Sequence, residues 1–131
     1  MTIIERWFKE VWNEGRESAI DELSYTDVVG HGLKDPDGKA VEGMDAFKAF
    51  YRQFRAALSD IHVTIEDTVT EGDRAVARCT VTAKHTGDGL GKPPKGNPVN
   101  FTGMTMIRLK DGKIAEAWNN YDFMTMFQQM E

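Results

Sequence analysis

The sequence has one cysteine, Cys79, so it can close no internal disulfide, and no Cys/His cluster at zinc-ligand spacing surrounds that residue. A reducing compartment fits this usage. No apolar run approaches the roughly 20 residues that span a bilayer, and Glu5 and Arg6 interrupt the first apolar residues before a signal-peptide core could form. The expected location is the cytoplasm, with no membrane partner. An excess of basic charge is missing as well: 16 Lys and Arg stand against 21 Asp and Glu, and the net charge of -5 repels a phosphate backbone unless a basic face is segregated. Lys84, Lys92 and Lys95 cluster only mildly, in a glycine- and proline-rich loop, so nucleic acid is not an expected partner.

What is present is ordinary globular material. A length of 131 residues, 40% of them hydrophobic and 28% charged, suits one domain over residues 1–131 with one core, and argues against a disordered or fibrous chain. Ile3, Ile4, Trp7, Phe8, Val11 and Trp12 recur at three- and four-residue steps and predict an N-terminal helix that ends near Gly15. A short second helix follows through Ala19, Ile20 and Leu23, then a strand over 25–33 and a turn at Asp35-Pro36-Asp37-Gly38. Met44, Phe47, Phe50, Phe54 and Leu58 mark a third, strongly amphipathic helix, with Lys48, Arg52 and Arg55 turned outward.

From Ile61 the period changes to two. Ile61, Val63, Ile65 and Val69 alternate with polar residues, and Glu71-Gly72-Asp73-Arg74 reads as a hairpin turn. Ala75, Ala77, Cys79, Val81, Ala83 and His85 share one face of the next strand. A loop over 87–98 leads to strands over 99–109 and 114–121, joined at Lys110-Asp111-Gly112-Lys113. A short helix over 123–129 closes the chain, with Asp122 where an N-cap would sit. The order predicts an α+β fold: a curved antiparallel sheet, covered on one face by helices, that leaves an apolar pocket where helix and sheet diverge.

Five segments carry a resemblance. Trp12-Asn13, Asp27-Val28-Val29-Gly30-His31, Glu71-Gly72-Asp73-Arg74, His85-Thr86-Gly87 and the run Asp111 to Asp122 through Ala117-Trp118-Asn119-Asn120-Tyr121 occur in the order and spacing of a SnoaL-like polyketide cyclase. The resemblance covers nearly the whole chain. It implies the cone-shaped fold of the nuclear-transport-factor-2-like superfamily, dimerisation through the outer sheet face, and aldol-type ring closure without metal or cofactor. It also implies that Asp122 matches the family's acid/base aspartate and that His85 lines the pocket. The chain departs from the family pattern at Leu58-Ser59-Asp60, where an aromatic-Pro-Asp corner is usual, and at its C-terminal residues Gln129-Met130-Glu131.

Aldol closure takes a proton from a carbon between two carbonyls and returns one to the new alkoxide, work that one carboxylate can do. An aspartate near its usual pKa of about 3.9 is too acidic for this, so the role requires Asp122 to be buried among apolar groups. The competing reading is that Asp122 simply caps the last helix, which would lower its pKa. His85 could hydrogen-bond a substrate carbonyl or be a core residue, and His31 carries the same two readings. Phe50 and Phe54 fill the core and are candidates for the pocket wall, as are Trp118, Asn119 and the flexible thioether of Met104. The predicted ligand is a hydrophobic, carbonyl-containing small molecule. Two rivals remain open, a cofactor-independent dehydratase or isomerase on the same fold and a noncatalytic binder of a hydrophobic metabolite.

Overall fold

A computed structural model describes residues 1–131. Helix α1 (Ile3–Arg6) runs directly into a π-helical segment (Trp7–Asn13), followed by α2 (Ser18–Leu23), β1 (Ser24–Lys34), β2 (Ala40–Glu42), α3 (Met44–Ala57), β3 (Leu58–Glu71), β4 (Arg74–His85), β5 (Pro98–Lys110), β6 (Lys113–Tyr121) and α4 (Phe123–Gln129). A capping box between Thr2 and Glu5 starts the first helix. Beyond Arg6 the helix widens, a change that a hydrophobic pattern only seven residues long cannot signal. Side chains from α3 take the carbonyls that end up facing inward: the Tyr51 hydroxyl donates to Val11 O at 2.8 Å and Arg55 Nη1 to Trp12 O at 2.8 Å. Asn13 pins the segment to β3, donating to Val63 O at 3.0 Å and accepting from Val63 N at 2.6 Å. The Trp-Asn pair therefore ties the first helix to both layers.

The six strands lie in the order β2-β1-β6-β5-β4-β3. Strands β3 to β6 form an antiparallel meander, β3–β4 and β5–β6 joined by two-residue turns and β4–β5 by the loop over 86–97, whereas β1, reached from α2, joins β6 in parallel. Bulges in β3 at Ser59/His62 and Ile65/Asp67, and in β6 at Ala115, opposite Arg108/Leu109 of β5, bend the sheet. The sheet thus curls around α3.

The end of α3 and the strand β2 differ from the sequence reading. Helix α3 stops at Ala57 and Leu58 already belongs to β3, because a leucine four residues after Phe54 continues the helical stripe whether or not the backbone does. Asp60, with φ of 53°, then makes the corner at the bulge. The short strand β2 carried too little pattern to be read.

Buried residues of α3 (Met44, Phe47, Phe50, Tyr51, Phe54) join the inner faces of the strands in one continuous hydrophobic cluster. Alanines at 75, 77 and 83 and Cys79 give β4 a small-residue inner face against which bulkier groups pack. Met126 and Met130 of the C-terminal segment are buried in the same cluster. No helix is long and apolar enough to cross a membrane.

Candidate functional site

Where the helices and the curled sheet diverge they leave a cavity that opens to solvent at its mouth. Trp7, Phe8 and Trp12 from the first helical segment and Phe47, Phe50 and Phe54 from α3 form one wall. The inner faces of β1 and β3 to β6 form the other, and Phe123 from the start of α4 completes it. The aromatic rings buttress one another, Phe50 edge-on to Phe54 at 4.7 Å, Phe54 stacked on Phe123 at 5.7 Å and Phe123 stacked on Tyr121 at 6.2 Å between centroids. Eighteen of the 21 lining residues are hydrophobic, and none is acidic, basic or a histidine, so a ligand here meets almost no charge.

One polar cluster interrupts this surface. The β5/β6 register sets Thr105 opposite Asn119 and Gly103 opposite Tyr121. Thr105, only 2% exposed, donates from Oγ1 to Asn119 Oδ1 at 3.0 Å, and its oxygen lies 2.8 Å from the Tyr121 hydroxyl. Asn119 Nδ2 donates in turn to His31 O at 3.1 Å. Burial pushes the Tyr121 phenol above its ordinary value, and the Cys79 thiol beside it, also raised by burial, stays protonated too. Tyr121 can lie across the sheet only because residue 103 is a glycine: a Cβ there would stand 2.2 Å from Tyr121 Cδ2.

Asn119, Phe50 and Phe54 line the cavity, as the sequence reading had them. The other candidates do not. Residues 117, 119 and 121 of β6 point inward, so strand alternation sends Trp118 to the outer face, where Arg74 lies over its ring at 5.2 Å. His31 is outside too, 45% exposed, stacked on Trp118 and 2.6 Å from Glu116 Oε2. That contact, followed by Arg108, holds the Glu116 carboxyl below its usual range. Met104 pairs with Arg78 and Asn120 on the same outer face and is 49% exposed.

The two catalytic candidates, His85 and Asp122, are also absent from the lining. His85 is fully buried at the end of β4, opposite Leu58, with neither ring nitrogen hydrogen-bonded. Its His-Thr-Gly motif ties β4 to the end of α3: Thr86 N and Gly87 N donate to Ala57 O at 3.1 and 3.0 Å, and a Cβ on Gly87 would come 2.0 Å from Ala56 O. Asp122 is exposed and caps α4, accepting from Thr125 N at 3.0 Å and Thr125 Oγ1 at 2.6 Å. Those hydrogen bonds hold its carboxyl below the usual range, the opposite direction from a base poised near neutrality. The burial that the acid/base role requires is not found at Asp122, because the strand ends at Tyr121 and the turn into α4 swings the next side chain to solvent. Thr105 and Tyr121 were not named as site residues; strand parity with Asn119 was the available signal for Tyr121.

No group of three or more His, Cys, Asp or Glu side chains is arranged to hold a metal ion. A protein of Catenulispora acidiphila with a ketosteroid isomerase-like fold, crystallised with trimethylamine, superposes with a TM-score of 0.77 over 99% of this chain and 94% of its own at 19% identity. The curled sheet and the helices on its concave side thus have the ketosteroid isomerase-like fold. Within that fold the family model of the SnoaL-like polyketide cyclases matches residues 2–130, and the chain belongs to that family. Similar structures include IdmH of Streptomyces antibioticus (28% identity, TM-score 0.82, 97% of this chain and 94% of that one). TsrD of Streptomyces laurentii shares the fold (24% identity, TM-score 0.83, 98% and 91%). No curated protein matches the sequence.

Proposed function

We propose that the protein takes a hydrophobic, carbonyl-bearing small molecule into this cavity and promotes its intramolecular aldol-type ring closure. The observation that carries the reading is the cavity wall itself, apolar almost throughout with one polar cluster at Thr105, Asn119 and Tyr121. Such a wall folds a flexible apolar chain back on itself and excludes water, and holding two reacting carbons together accelerates closure through orientation alone. The ring closes when the carbon that has lost a proton attacks the second carbonyl and the alkoxide so formed takes a proton back. Asp122 is the proposed proton carrier, since it stands between the lining residues Tyr121 and Phe123. To act it must leave Thr125 and enter apolar surroundings, which would move its pKa upward.

Noncatalytic binding of the same kind of molecule is the second reading. It is favoured by the engagement of Asp122 with Thr125 and by a lining without a carboxylate or imidazole. A native mass-spectrometric screen against polyketide-like and terpenoid carbonyl compounds, followed by turnover assays of the binders, separates the two. Asp122→Asn keeps a competent helix cap but cannot carry a proton. Binding is expected to survive in this variant while turnover falls by about 10²-fold or more. Full turnover in Asp122→Asn would remove the acid/base role, and wild-type binding without turnover would leave the binding function alone. If no such compound binds, both readings fail.

The same proposal includes a homodimer through the outer face of the sheet. Val69 and Met104 are exposed apolar groups on that face, beside Trp118, and charges of both signs at Arg74, Arg78, Asp67 and Glu116 lie around them.

A further inference from the structure

We propose that the polar cluster accepts a hydrogen bond from its ligand, so that the bound molecule is anchored to Tyr121 by a hydroxyl, phenolic or enolic, on an apolar skeleton. This rests on the reading of the cavity as a small-molecule site and adds which group that molecule presents.

The cluster is a chain of hydrogen bonds with one fixed end, along which each proton can be assigned. The His31 carbonyl can only accept, so the Asn119 amide must turn Nδ2 toward it, at 3.1 Å; the flipped amide would set two acceptor oxygens against each other. Asn119 Oδ1 therefore faces Thr105 Oγ1, at 3.0 Å, and it too can only accept. The single hydroxyl proton of Thr105 is spent there. The contact of 2.8 Å between Thr105 Oγ1 and the Tyr121 oxygen is then a hydrogen bond only if Tyr121 donates. Were Thr105 to donate to Tyr121 instead, its lone pairs would face Oδ1, and one of two bonds would be lost at a residue that is 2% exposed. The chain runs one way, from Tyr121 through Thr105 and Asn119 to the backbone of β1.

A direction follows for the ligand. With its proton committed to Thr105, Tyr121 keeps a lone pair to offer the cavity even where the neighbouring Cys79 thiol, a weak donor, takes the other. A ketone, ether or enolate oxygen placed against it would meet lone pair with lone pair, whereas a hydroxyl finds an acceptor. Tyr121 here is the reverse of an oxyanion-binding phenol. The second amide proton of Asn119 can still serve a neighbouring carbonyl, so the enol of a 1,3-dicarbonyl, with its hydroxyl and carbonyl side by side, suits the cluster better than the diketo form.

Equilibrium dialysis of the protein at neutral pH against naphthalene, a naphthol and the methyl ether of that naphthol tests the direction. The naphthol is expected to bind about tenfold more tightly than the other two, the gain from one buried hydrogen bond. The advantage should vanish in Tyr121→Phe. In Thr105→Val the phenol loses its acceptor, its proton is free to face the cavity, and the ether should rise above naphthalene. A wild-type protein that binds the ether as tightly as the naphthol overturns the inference, and this ratio needs no variant to fold. Equal binding of all three overturns it while leaving the cavity as a binding site; binding of none overturns the site as well.

Discussion

Asp122 lies between two cavity residues, Tyr121 and Phe123, yet its carboxylate serves Thr125 and the first turn of α4. As a cap it should matter to stability in a way that charge chemistry can separate. Asp122→Ala is expected to lower Tm by about 3–5 °C and Asp122→Asn to stay near wild type, because alanine cannot accept from Thr125 and asparagine can. The folded carboxyl is held below its usual range, so its stabilisation is fully present above the unfolded value of about 3.9 and is lost as the pH falls through the lower folded value. Thermal melts of wild type against Asp122→Ala should therefore show a gap that narrows once the pH drops below about 4. A gap that instead widened on acidification would contradict the cap.

At the scale of elements, two glycines hold the site's framework by leaving space. Gly103 lies in β5 directly across from Tyr121, and a methyl group there would collide with the ring that begins the hydrogen-bonded chain. Gly103→Ala should cost about 1–3 kcal/mol by displacing that ring, visible in denaturant melts, and should weaken naphthol binding more than naphthalene binding. Gly87 lets the end of β4 rest on the backbone of α3, and an added Cβ would meet Ala56 O. A carbonyl of a helix end cannot step aside as a side chain can. Gly87→Ala should therefore destabilise the protein by at least as much, and with no preference for either ligand in the affinity that remains. A wild-type Tm in Gly87→Ala would mean that the His-Thr-Gly motif does not serve as this joint.

For the whole molecule, the sheet has two faces with different prospects. The inner one is closed by helices and a cavity, and the outer one carries Met104 and Val69 in the open with Trp118 between charged neighbours. Sedimentation velocity is expected to find a dimer for the wild type and a monomer for Met104→Lys, a change that touches nothing in the cavity. A monomeric wild type would leave the outer face without a partner of its own kind.

The order of elements, the strand parity and the aromatic stripe of α3 were legible in the sequence because they follow from period and turn chemistry, which are local. Phe50 and Phe54 were placed in the wall for that reason. Which face each strand turned inward was not legible for β6, since the residues from Glu116 to Asp122 offer polar and apolar groups on both parities. Only the pairing with β5, with Thr105 opposite Asn119, decided that Tyr121 goes in and that Trp118 and Met104 go out. His31 followed Trp118 outward, and His85, on the inner face as its parity required, ended beyond the cavity at a helix corner that no strand pattern marks. Asp122, where two readings competed in the sequence, caps α4 in this structure because the backbone turns to solvent after the last strand. Periodicity is a property of short stretches of chain, whereas the facing of a side chain at a strand end depends on what the neighbouring strand and the next helix leave room for.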